Sequence, residues 1–78
     1  MAGSRLREVL VAIVETGERG ALEIPLMNSK GMERQDFDPI IKMLEDQGQI
    51  VVRVDPADGV ARRLRATRAG RDSVKQSQ

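Results

Sequence analysis

Two segments with strand character flank a turn in the second half of the chain, and this pattern constrains the fold most strongly. Residues 50–55 contain three valines, whose branched side chains favour a β-strand. Residues 55–59 read Asp-Pro-Ala-Asp-Gly, a composition typical of turns. Residues 60–66 then form the returning strand. The sequence therefore predicts a β-hairpin with a loop of about five residues.

The first half of the chain is patterned for helices. Apolar side chains recur at helical spacing along residues 5–16, and Ser4 and Gly17 are the predicted N-cap and C-terminal stop of this helix. Residues 21–24 alternate in polarity and favour a very short strand. Residues 25–30 favour a short helix that starts at a proline.

A third helix follows, and its start has two alternatives. Its apolar residues are Phe37, Ile40, Ile41 and Leu44. In the first alternative the helix begins at Asp38, with Asp36 or Asp38 as its cap and Pro39 at its first position. In the second it begins near Glu33 and is kinked at Pro39. Gly48 ends the helix in both cases.

The absence of two residue types excludes several functions. The chain has no cysteine and no histidine, so it lacks disulfides, the usual zinc ligands and the usual general base. No other residues form a recognisable catalytic constellation or a phosphate-binding loop. We therefore expect no enzymatic activity, no metal and no small-molecule cofactor. No apolar run reaches the ~20 residues that span a bilayer, and the N-terminus resembles no secretory signal, so a cytoplasmic protein is expected.

Charge is distributed unevenly along the chain, although the net charge is only +1. Residues 1–49 hold six basic and nine acidic side chains, a balance of −3, whereas residues 50–78 hold seven basic and three acidic side chains, a balance of +4. Such an asymmetry indicates a polyanionic partner for the basic half.

The hairpin carries most of these basic residues. Because side chains alternate across a strand, one face of the hairpin is apolar and faces the core. The residues on this inner face are Ile50, Val52, Val54, Leu64 and Ala66. Arg53, Arg63 and Arg65 share the outer face, and Arg62 lies on the inner side near the tip, where it is predicted to reach outward. The alternative without a binding role is that these arginines only protect an exposed sheet edge.

Two segments around the hairpin resemble one known group of proteins. Leu44-Glu45-Asp46-Gln47-Gly48-Gln49-Ile50 resembles the end of the recognition helix and the entry to the wing in MarR-like regulators. Residues 55–59, followed by Arg62-Arg63-Leu64-Arg65-Ala66-Thr67-Arg68-Ala69-Gly70-Arg71, resemble the wing tip and returning strand of that group. Within this segment, Thr67 is a predicted N-cap for a short last helix over residues 68–74.

The resemblance implies an α+β, winged helix-turn-helix fold, with a three-helix core, a β-hairpin wing and a short C-terminal helix. Residues 1–78 then form a single winged-helix domain, with an ordered core of about residues 4–74 and a polar tail at residues 75–78. The second half of the chain matches in residues, and the first half matches only in the order of its elements.

The implied function is DNA binding by a small transcriptional regulator or accessory factor, largely through the basic wing. The partner is then double-stranded DNA. The residues expected to bind it are Arg34, Gln35, Lys42, Arg53, Arg62, Arg63 and Arg65. The alternative for Lys42 is a structural role, as an ion pair across one helical turn with Asp38 or Glu45.

A second function stays open at this point. Glu33, Asp36 and Asp38 place three carboxylates at the start of the third helix, where DNA phosphates would repel them. The alternative function is therefore a protein–protein interaction module that uses this acidic region and does not bind DNA. A protein partner or a homodimer is compatible with either function.

Overall fold

The computed structural model describes residues 2–57 and 59–76. Within these residues the helices are α1 (Ala2–Glu15), α2 (Glu23–Ser29), α3 (Arg34–Asp46) and α4 (Arg68–Gln76). The strands are β1 (Ala21–Leu22), β2 (Ile50–Val54) and β3 (Arg62–Ala66), and a single 3-10 turn spans Gly17–Arg19. No helix of the described ranges is both long enough and apolar enough to cross a membrane.

The three strands form one antiparallel sheet in the order β1-β3-β2. The predicted hairpin is confirmed, with Val52 opposite Leu64 and Ile50 opposite Ala66. Its strands are shorter than predicted, and residues 55–61 connect them. Val54 was expected in the core but its side chain is 55% exposed, because the end of the hairpin extends past the packed helices.

The core lies between the inner face of the sheet and the helices. Phe37, the only aromatic residue, is completely buried at its centre. Its buried apolar neighbours in the core are Val9, Leu10, Ile13, Leu26, Met32, Ile41, Leu44, Ile50, Leu64, Ala66 and Val74. Burial of these side chains away from water is the main term that stabilises a domain of this size.

The third helix follows the longer of its two predicted starts. It begins at Arg34, and Glu33 occupies the N-cap position without a side-chain cap. Asp36 and Asp38 both lie inside the helix, so the prediction that one of them caps it is wrong. The extra turn brings Phe37 onto the same face as Ile41 and Leu44, and burial of this ring outweighs the hydrogen bond that Pro39 cannot donate.

The first helix begins at Ala2, two residues before its predicted cap at Ser4. The last helix starts as predicted. The backbone amide of Gly70 donates a hydrogen bond to Thr67 Oγ1 (3.2 Å), and Thr67 Oγ1 donates to the carbonyl of Gly48 (2.6 Å). This cap joins the start of α4 to the turn between α3 and β2.

Candidate nucleic-acid interface

The outer face of the hairpin brings three of the predicted arginines together. Arg53 lies opposite Arg63 across the strand pair, and Val51 lies opposite Arg65. These four side chains and Glu18 of the 3-10 turn line a shallow cleft of about 90 Å³. The prediction that Arg53, Arg63 and Arg65 share one face is therefore confirmed. We call these three residues the outer arginines.

Arg63 is held in place by bonds within the protein. Its guanidinium donates to Asp55 Oδ2 (3.1 Å) and to the backbone carbonyl of Arg19 (3.0 Å). The pKa of Asp55 is lowered, first by the hydrogen bond from the Ala57 amide and then by the one from Arg63. Sequence reasoning treated Asp55 only as a turn residue and missed its role as a partner of Arg63.

Among the described residues, Arg53 and Arg65 carry the unpaired positive charge of this face. Both side chains are exposed. Neither forms an ion pair with any carboxylate in residues 2–57 and 59–76. Their charges are therefore available to an external anion.

Arg62 does not reach outward as predicted. Its guanidinium donates a hydrogen bond to the carboxylate of Glu23, whose side chain is buried, and it lies 3.9 Å from Asp38. The pKa of Arg62 is raised above its ordinary value, chiefly by the hydrogen bond to Glu23. Arg62 turns inward because the buried carboxylate of Glu23 needs a cationic partner.

Arg34 joins the same network. It contacts Glu23 Oε1 at 3.4 Å and Asp38 Oδ1 at 3.3 Å. The four residues link the first residue of α2, the first turns of α3 and the first residue of β3. Sequence reasoning missed Glu23, because its position in an alternating segment before Pro25 gave no signal of a buried carboxylate.

The exposed side of α3 offers little free positive charge. Gln35 donates a hydrogen bond to Glu33 Oε2 (2.8 Å). Lys42 is exposed and, among the described residues, forms neither of the ion pairs predicted with Asp38 and Glu45. It shares a groove of about 300 Å³ with Arg62 and those two carboxylates. The segment from Glu33 to Asp46 holds two basic and five acidic residues, a balance of −3.

The predicted binding residues thus fall on two sides of the sheet. Phe37, Ile41 and Leu44 of α3 share the core with Ile50 and Leu64, so α3 lies on the inner side. The outer arginines point to the opposite side, while Arg34, Gln35, Lys42 and Arg62 lie on the side of α3. The seven residues do not form a single surface.

Among the residues that the structure describes, no group of three or more carboxylates is arranged to hold a metal ion.

Comparison with known proteins identifies the fold. The chain matches no family model. It also matches no curated protein sequence. It is similar to the crystal structure of CouR from Rhodococcus jostii RHA1, a MarR-family regulator bound to p-coumaroyl-CoA, with a TM-score of 0.75 and 28% sequence identity.

The similarity covers 92% of this chain and 52% of CouR, so the chain spans about half the length of that protein. Helix order, the three-stranded antiparallel sheet and the hairpin agree with the predicted class. The chain has the winged helix-turn-helix fold and resembles the MarR-like regulators.

Proposed function

We propose that this chain is a DNA-binding winged-helix protein of the cytoplasm, a transcriptional regulator or an accessory factor, and that it binds DNA largely through its basic wing. The observation that carries this proposal is the pair of exposed guanidinium groups of Arg53 and Arg65, which have no carboxylate partner among the described residues. The likeness to a MarR-family regulator supports a regulatory role and a binding function over catalysis.

Arginine is well suited to phosphate. Its guanidinium is planar, always charged and able to donate two parallel hydrogen bonds to one phosphate group. A protein that contacts phosphates through such groups releases the counterions condensed on DNA, so its affinity falls steeply as salt rises. Binding by this chain is therefore mainly electrostatic.

Fluorescence anisotropy with a generic DNA duplex over a salt series tests the proposal. We expect log K to fall linearly with log salt, with a slope of about −2 or steeper, which corresponds to at least two phosphate contacts. Arg53→Ala should make the slope shallower. Absence of binding at about 50 mM salt overturns the proposal.

A second function is favoured by the charge of α3. The segment from Glu33 to Asp46 has a balance of −3, and Glu23 and Asp38 hold Arg34 and Arg62. This side of the molecule fits a basic protein partner better than a phosphate backbone. This second function predicts that the protein does not bind DNA at low salt. It also predicts binding to a lysine-rich probe peptide, and a Glu33→Gln/Asp36→Asn variant should weaken that binding.

A further inference from the structure

We propose that double-stranded DNA docks on the outer face of the sheet, with its phosphates held by Arg53 and Arg65, and that α3 lies on the side away from the duplex. This inference rests on the proposed DNA-binding function and specifies the surface that performs it. It reverses the orientation that a recognition helix in the major groove would require.

The outer face has the geometry of a phosphate-binding surface. Side chains directly opposite each other on neighbouring strands have Cβ atoms only about 5 Å apart. The Arg53–Arg63 pair therefore places two guanidinium groups beside one cleft, Arg65 adds a third from the next outward position on β3, and Glu18 contributes one carboxylate to the cleft lining. Arg63 donates hydrogen bonds to Asp55 and to the Arg19 carbonyl, which fix its side chain and compensate its charge, so Arg53 and Arg65 supply the charge that is available to phosphate.

Edge protection does not explain the position of Arg63 or the pairing of Arg53 with it. Arg63 lies on β3 where β1 and β2 flank it on both sides, whereas Arg53 lies on the edge strand β2 and Arg65 lies beyond the end of β1. Arg53 opposite Arg63 is a like-charge pair, which destabilises a sheet. Asp55 compensates one of these two charges within the described residues. A local arrangement that works against folding is typical of a functional surface.

The opposite side of the molecule is unfavourable for DNA. The segment from Glu33 to Asp46 has a balance of −3. Its Arg34 is engaged by Glu23 and Asp38, and Arg62 of the adjacent strand is bonded to the same buried carboxylate. Lys42 is the remaining cation of this helix, and Glu45 and Asp38 border the groove in which it lies. Phosphates approaching α3 would therefore meet a net negative surface.

The orientation has a consequence for specificity. Contacts with phosphates fix the position of a protein on DNA but do not read its sequence. We expect similar affinities for duplexes of different sequence, because no base-reading helix enters the groove in this orientation.

Two matched substitutions test the orientation. Arg65→Ala and Lys42→Ala each remove one exposed cation that has no ion pair among the described residues, the first from the outer face and the second from α3. Salt-series anisotropy with one duplex measures both, and the double variant Arg53→Ala/Arg65→Ala extends the outer-face series. Thermal unfolding confirms that each variant is folded.

The inference predicts that Arg65→Ala makes the salt slope shallower by about one and that the double variant makes it shallower by about two, while Lys42→Ala leaves it unchanged. If Lys42→Ala reduces the slope and the outer-face variants do not, DNA docks on α3. That result would contradict the proposed orientation but would still support DNA binding. If the unsubstituted protein does not bind DNA, both the function and the orientation fall.

Discussion

The buried carboxylate of Glu23 accepts a hydrogen bond from the guanidinium of Arg62, and this contact ties the first residue of α2 to the first residue of β3. Arg34 contacts the other carboxylate oxygen and thereby connects α3 to the same point. The Glu23 side chain thus joins the hairpin to α2 and α3, in addition to the core packing of Ile50 and Leu64. It also engages two of the arginines that the sequence predicts to bind DNA.

Glu23→Gln should destabilise the protein by about 1–2 kcal/mol, because the glutamine keeps the shape of the side chain but loses its charge–charge contacts with two arginines. This destabilisation is smaller than the one expected when a fully buried ion pair loses a partner, because the side chains of Arg62 and Arg34 are 40% and 50% exposed and solvent screens their charges. Urea unfolding measures the change in free energy of unfolding.

A matched control removes an ion pair from the surface. Arg68 and Asp72 lie 4.0 Å apart on α4 and are both well exposed. Asp72→Asn should therefore change the free energy of unfolding by less than about 0.5 kcal/mol. An equal effect of Glu23→Gln and Asp72→Asn would show that the buried network does not hold the hairpin in place.

Gly70→Ala should destabilise the protein, although alanine favours helices over glycine by up to about 1 kcal/mol. A Cβ at this position would lie 2.2 Å from the backbone carbonyl oxygen of Gln49, so α4 would have to move away from the turn before β2. The expected cost is about 1–3 kcal/mol, as for other overpacked sites. A variant with a higher melting temperature would contradict the close approach.

The Asp55 carboxylate, which accepts hydrogen bonds from the Ala57 amide and from Arg63, predicts a dependence of stability on pH. Because the folded protein lowers the pKa of Asp55, this carboxylate stabilises the fold above its unfolded pKa of about 3.9, and the contribution is lost as pH falls through the lower folded value. The Tm of the protein should exceed that of Asp55→Asn at neutral pH. This difference should shrink as pH falls below about 4. A difference that persists unchanged in acid would rule out the negative charge of Asp55 as its source.

Local pattern predicted the elements of the fold and the face that each hairpin arginine occupies. Strand alternation is a property of the backbone, so Arg53, Arg63 and Arg65 could be placed on one face without knowledge of their neighbours. The cap of α4 at Thr67 could be predicted for the same reason, because a cap depends on residues within one helical turn.

Tertiary contacts decided the features that local pattern missed. The choice between the two starts of α3 depended on burial of Phe37 against other elements, and caps at Asp36 or Asp38 could not compete with it. Likewise, Arg62 and Arg34 meet Glu23 only because the fold brings three elements together. The predicted set of DNA-binding residues was therefore too large for one surface.

The orientation of DNA on the protein is tested most directly by NMR, since the chain has only 78 residues. Titration with a short DNA duplex should shift and broaden the side-chain Nε–Hε signals of Arg53 and Arg65, because these guanidinium groups would contact phosphate. The side-chain amide of Gln35 and the backbone amide of Lys42 on α3 should keep the chemical shifts that they have in the protein without DNA. Shifts concentrated on Gln35 and Lys42, with unchanged signals from Arg53 and Arg65, would contradict docking on the outer face.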